Sequence, residues 1–152
     1  MAFDLDKQRF ALHLSVVERV VPVAEMTPLP DAPEVVRGVI NIQGRVLPVF
    51  DVRRRLGLPS RPVRLSDHMI LARTARRSVA LWVDGVRGVV EPGGEPGSAE
   101  NITPAEGVLP GLETIEGVVK LEDGLVLIHD LARFLSLEEE RALDGAMAAN
   151  RG

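Results

Sequence analysis

The chain repeats itself, and the repeat limits its architecture more than any other feature. Residues 38–56, GVINIQGRVLPVFDVRRRL, align without gaps to residues 117–135, GVVKLEDGLVLIHDLARFL. The two segments share a Gly-Val start, an aliphatic return strand, an aspartate at Asp51 and Asp130, and an arginine three residues later at Arg54 and Arg133. Residues 11–21, ALHLSVVERVV, align in the same way to residues 80–90, ALWVDGVRGVV, and the order of the two segments is kept. A duplicated chain of 152 residues yields two small halves. Neither half buries enough surface to be stable alone, so the two must pack on one another through aliphatic faces.

Local signals fill in each half. The runs Val35–Ile42 and Val46–Val52 flank Gln43-Gly44-Arg45, the pattern of two strands joined by a short glycine-containing turn. Pro48 lacks a backbone donor, so the second strand must lie at an edge or carry an irregularity there. Asp51 is placed to cap a short helical turn that Gly57 stops, and Asp130 caps its counterpart. Strands are also expected over Phe3–Asp6, Phe10–Leu14, Val16–Val23, Met69–Ala72, Val79–Val83 and Val86–Val90. Residues 24–34, with Pro28, Pro30 and Pro33, and residues 91–110 read as loops. Ser136-Leu137-Glu138-Glu139 is a capping box, which opens a C-terminal helix over 137–148.

Composition weighs against several functions. Aromatic residues make up 3% of the chain and its net charge is -4, which leaves no stacking platform for nucleic acid. Residues 1–77 carry 13 Lys and Arg against 8 Asp and Glu, whereas residues 78–152 carry 5 against 14. That polarity suits a complementary protein interface. Cysteine is absent, the three histidines lack metal-ligand spacing, and no nucleophile elbow or phosphate loop occurs, so no catalytic residue, metal or cofactor is expected. Arg53-Arg54-Arg55 reads as a solvated helix face, and Trp82 as either core or an interface anchor. No apolar run is long enough to span a membrane and no signal peptide is evident, so a cytoplasmic location is expected.

Gly38-Val-Ile-Asn41-Ile-Gln43-Gly44 followed by Leu47-Pro48-Val-Phe-Asp51-Val-Arg53 resembles the CheW-like domain family, whose pattern runs Gly-x-x-Asn-Leu-Arg-Gly, Pro-x-x-Asp-Leu-Arg. Phe10-Ala11-Leu12 with Val17, Leu81-Trp82-Val83-Asp84-Gly85-Val86, and the closing segment Gly117–Leu135 extend the resemblance from Phe3 to about Leu143. The resemblance implies one mainly β domain over 1–152. It would be made of two intertwined, five-stranded SH3-like β-barrel subdomains, approximately 1–60 and 61–135, with short helical turns and the C-terminal helix.

The implied role is a chemosensory adaptor that couples the chemoreceptor signalling tip to the regulatory domain of a CheA-type histidine kinase, at receptor arrays on the inner face of the membrane. Other CheW-like domains are further implied partners. An accessory module that keeps only one of the two contacts is the nearest alternative, and a small β-barrel enzyme or RNA binder a distant one. Partner contacts are expected at Val17, Arg19, Asn41, Gln43 and Gly44, and on the apolar strand at Leu81 and Val83. The family pattern has a glutamate where this chain has Arg19 and an arginine where it has Gln43. The ion pair expected between those two positions therefore cannot form.

Overall fold

The computed structural model describes residues 1–6, 8–59, 61–88, 103–104, 118–120, 124–128, 130–133 and 137–150. Eleven strands are present among them: β1 (Ala2–Leu5), β2 (Gln8–Leu12), β3 (Val17–Pro22), β4 (Val36–Ile42), β5 (Arg45–Asp51), β6 (His68–Arg73), β7 (Ser78–Val83), β8 (Gly85–Gly88), β9 (Thr103–Pro104), β10 (Val118–Lys120) and β11 (Val126–Ile128). Helix α1 (Val52–Arg55) follows β5, and helix α2 (Leu137–Asn150) lies near the end of the chain. Leu14–Val16 and Leu131–Arg133 form single 3-10 turns.

The strands make two sheets, one ordered β3-β6-β7-β5-β4 and the other β8-β1-β2-β11-β10-β9. Leaving β9 aside, the two orders are equivalent. In each, an antiparallel pair that opens one repeat (β6-β7 or β1-β2) sits between the third strand and the hairpin of the other. The hairpins join parallel to that pair, β5 on β7 and β11 on β2. The chain crosses between sheets after β2 and again after β7, so each repeat gives two strands to one sheet and three to the other. The sheets consequently do not divide at residue 60: one takes its strands from 17–83, the other from 2–12 and 85–128. The second sheet has six strands because the two-residue β9 pairs with β10.

Strand alternation distributes the core. Along β7, Val79, Leu81 and Val83 join a cluster shared with Phe3, Leu5, Phe10, Val126 and Ile128 of the other sheet. Ala80 and Trp82 turn to the opposite face, where they meet Ile40, Leu47, Val49, Met69 and Leu71. The strand is thus buried on both faces, which a near-continuous apolar run allows. Phe3 and Phe10 stack at 5.7 Å between ring centroids.

The β4–β5 hairpin follows its sequence signals. Gln43 and Gly44 have φ of 52° and 86°, the two left-handed positions of a type I′ turn, and Asn41 Oδ1 accepts the Gly44 amide at 2.9 Å. β5 is an interior strand, and the irregularity at Pro48 takes the form of an incomplete ladder. Its pairing with β7 covers only Val49–Asp51. Asp51 caps α1 by accepting from the Arg54 amide at 3.2 Å, and Gly57 follows the helix with φ of 74°. Gly38 faces the proline-rich segment, where Thr27 exchanges two 2.8 Å backbone bonds with Val39. Residues 24–34 therefore press against the hairpin by a β-bridge. Asp130 accepts the Ala132 amide at 3.2 Å, two residues on, where Asp51 accepts the amide three residues on. Ser136, His129 and residues 91–102 and 105–110 lie outside the described residues, whereas Thr103–Pro104, within the stretch expected to be loop, is strand β9 because it pairs with β10.

Helix α2 accounts for part of the charge polarity. Leu143 and Ala146 enter the shared core, while Arg55 pairs with Glu139, and Arg77 with Glu140 and Asp144. Acids of the second half are thus met by arginines of the first within one chain, and those charges are not held in reserve for a partner.

Candidate functional site

The expected contact residues separate into two groups. Val17 and Arg19 on β3 come to the same end of the five-stranded sheet as Gln43 and Gly44 at the β4–β5 turn, and Arg19, Gln43 and Gly44 are exposed there. Asn41 is also exposed, but its side-chain oxygen is engaged in shaping the turn. Leu81 and Val83 are a correction. Both have no exposed surface and belong to the shared core, because the strand that carries them is covered on each face. They cannot touch a partner in this fold.

No hydrogen bond or ion pair joins Arg19 to Gln43, yet the same end of the sheet holds an acid–base pair. The β3–β6 ladder shifts between Val17 and Arg19, so Glu18 is a bulged residue re-aimed out of the regular alternation. Its carboxylate meets Arg45 Nη1 at 3.2 Å and accepts from Ser78 Oγ at 2.8 Å; Arg45 Nη2 donates in turn to Ser78 Oγ at 2.6 Å. Hydrogen bonds from Arg45 and then Ser78 hold the Glu18 carboxyl below its usual range. The acid stands one residue before Arg19 and the base two residues after Gln43. A gapless reading of the sequence cannot find this pair, because the bulge that brings it together shifts the register by one.

A second constellation lies where the chain crosses from β7 to β8. Arg53 is 2% exposed, which corrects the reading of Arg53-Arg54-Arg55 as a solvated face. Its guanidinium reaches Asp6 at 2.8 Å, Asp84 at 2.6 Å and the Pro59 carbonyl at 3.3 Å. Asp84 also accepts from Arg61 at 2.6 Å and from the Asp6 amide at 2.7 Å. Arg61 continues to buried Asp67, which takes two guanidinium bonds, the Arg64 amide and the Trp82 indole N–H. Arg37 and Arg61 lie over the Trp82 ring at 5.0 and 5.6 Å from its centroid. Trp82 is therefore core, held by its polar edge.

Burial acts to raise the carboxyls of Asp67 and Asp84, but their arginine, amide and indole donors outweigh it and hold both below the ordinary 3.8. Groups lowered in this way contribute stability that is present above the unfolded value and lost as pH falls through the folded one. The urea midpoint, followed by Trp82 emission, is expected to be flat from about pH 7 to about pH 5 and to fall steeply below about pH 4. A midpoint unchanged at about pH 3 would contradict the network.

Among the described residues no cluster of His, Asp or Glu is arranged to hold a metal ion, and no helix is long and apolar enough to cross a membrane. What the surface offers is a charged, hydrogen-bonded sheet end suited to binding. Comparison with known proteins supplies the family. The model of the CheW-like domain matches residues 1–139. The chain belongs to the CheW-like family.

Its CheW-like relatives include the chemotaxis protein CheW of Rhizobium meliloti, 29% identical over 144 residues, covering 93% of this chain and 90% of that protein. The chemotaxis protein CheW of Thermotoga maritima is 27% identical over 135 residues, covering 89% and 85%. The crystal structure of the scaffolding protein TtCheW from Thermoanaerobacter tengcongensis superposes with a TM-score of 0.69 at 24% identity, covering 91% of this chain and 87% of that one. That similarity shows that the two-sheet CheW-like fold is shared. Family membership places the chain in chemotaxis signalling as an adaptor.

Proposed function

We propose that this CheW-like chain bridges the signalling tip of a chemoreceptor and the regulatory domain of a CheA-type kinase by binding alone, at receptor arrays on the inner face of the membrane. The Glu18–Arg45–Ser78 constellation carries the reading. It keeps an acid and a base together at the exposed end of the five-stranded sheet, although the two family positions, Arg19 and Gln43, have lost theirs. The pair has moved, and the surface still presents both charges.

Arg45→Glu is expected to weaken binding to whichever partner uses this end by at least about tenfold while changing folding stability by no more than about 1 kcal/mol, since the pair is exposed. Arg19→Glu combined with Gln43→Arg is expected to change affinity less than about threefold, because the charge pair is already present. Calorimetric titration with the receptor tip and, separately, with the kinase regulatory domain measures both. A large gain from the double variant together with no loss from Arg45→Glu would show that the displaced pair is not the contact. The departures at Arg19 and Gln43 also favour a second reading, an accessory module that holds one partner only, for which one of the two titrations would show no binding.

A further inference from the structure

Leu65 is 98% exposed, whereas the next most exposed large apolar side chain among the described residues, Leu14, is 50% exposed. It is held in that position. Buried Asp67 takes two guanidinium bonds from Arg61 at 2.9 and 2.7 Å and the Arg64 amide at 2.8 Å, and the Asp67 amide donates back to the Arg64 carbonyl at 2.9 Å. Leu65 and Ser66 are thus the tip of a closed turn. Val63, two residues earlier in the same loop, is also exposed. Ordering a loop on binding costs affinity, and this loop is ordered before any contact is made.

The loop lies at the end of the five-stranded sheet opposite the β4–β5 turn. β3 finishes with Pro22 beside His68, where β6 begins, whereas Val17 and Glu18 lie at the Ala72 end of the same ladder. The Val23 amide donates to the Asp67 carbonyl at 3.0 Å, which brings the chain leaving β3 against the loop. Val23, Ala24 and Met26 are only partly buried there, and Glu25 among them is exposed. Charges of opposite sign therefore flank the apolar residues. Neither Glu25 nor the exposed Arg64 has a side-chain partner among the described residues. A patch that carries its own acid, its own base and an apolar surface between them is complementary to itself after a half-turn, since the base of each copy then faces the acid of the other.

We propose that this end of the sheet is a two-fold contact between two copies of the chain, with Leu65 of each seated on Val23, Ala24 and Met26 of the other and Arg64 of each paired with Glu25 of the other. The patch is small, so the dimer is weak and concentration-dependent. It leaves the Glu18–Arg45 end of both copies free, and one dimer then presents two such ends. That last consequence rests on reading the Glu18–Arg45 end as a partner contact; the dimer itself does not.

Sedimentation equilibrium of the full chain at rising concentration is expected to show the mean mass climbing from 16.5 kDa toward twice that value, with no larger species. Leu65→Asp is expected to weaken association at least about tenfold, with circular dichroism and melting unchanged because the side chain touches little of its own chain. Arg64→Glu and Glu25→Arg each set like charges against one another across the contact, and each alone is expected to weaken association at least about fivefold. An equimolar mixture of those two variants restores both ion pairs and is expected to associate as the parent chain does. A chain that stays monomeric up to about 1 mM, a mixture that fails to associate, or masses beyond the dimer would overturn the proposal. Loss of receptor-tip or kinase-domain binding in Leu65→Asp, in a chain that never dimerises, gives the loop to one of those partners and equally overturns it. A dimer that binds neither domain leaves this contact standing and removes the bridging reading instead.

Discussion

Arg53→Ala is expected to lower folding stability by about 3–5 kcal/mol, the usual loss when one partner of a buried ion network is removed. Arg53 is only 2% exposed and contacts the carboxylates of Asp6 and Asp84. Without it Asp84 keeps Arg61, but the two carboxylates are left near one another with half their positive charge gone. The consequence reaches further than one contact. The Asp84 amide donates to Asp4 of β1 at 3.1 Å, and the Asp6 amide donates to the Asp84 carboxylate, so this cluster ties the crossing after β7 to the first hairpin of the other sheet. Arg53→Lys keeps a charge but not the planar fork, and an intermediate loss is expected. Urea denaturation followed by Trp82 emission measures both variants. A loss under about 1 kcal/mol for Arg53→Ala would show that the network does not join the sheets.

Gly38→Ala is the second substitution with a large effect. A Cβ built on Gly38 falls 2.4 Å from the Thr27 carbonyl oxygen and 3.1 Å from its carbon, inside any allowed contact. The obstacle is backbone, and it is fixed by the paired 2.8 Å bonds between Thr27 and Val39, so it has no rotamer with which to yield. Overpacking of this kind costs about 1–3 kcal/mol, and here the proline-rich segment must separate from β4 as well. The expected result is a loss of about 2 kcal/mol or more, with faster amide exchange at Thr27 and Val39. Unchanged exchange at those two amides would mean that the segment accommodates the methyl group by a shift elsewhere. The same geometry gives the glycine that opens the family motif a physical reason: the chain passes too close there for any side chain.

What was readable in the sequence was local. The β4–β5 hairpin, the Asp51 cap and the Gly57 stop depend on turn chemistry within a few residues, and each is where the residues place it. The duplication correctly gave two equivalent strand sets. It could not give the exchange between them, because β3 and β8 cross to the opposite sheet through long-range pairings that leave no periodic trace. Arg53 was hidden for a related reason. It stands in a run of three arginines, and its counterpart in the second repeat is Ala132, so the repeat carried no hint of a buried cation. The site at Glu18 was missed by one residue, since the bulge that turns its side chain toward Arg45 is invisible to a gapless comparison. Leu81 and Val83 belong to the near-continuous apolar run Val79–Val83, and that run, not an alternating pattern, was the signal that their strand is covered on both faces.

The central claim is that one chain holds two partners together, and a three-component capture tests it most directly. With the receptor signalling tip immobilised and the kinase regulatory domain in solution, the bridging account predicts that the kinase domain is retained only when this chain is added, and that Arg45→Glu reduces the retained amount. Retention of the chain without the kinase domain, or of neither, would contradict bridging.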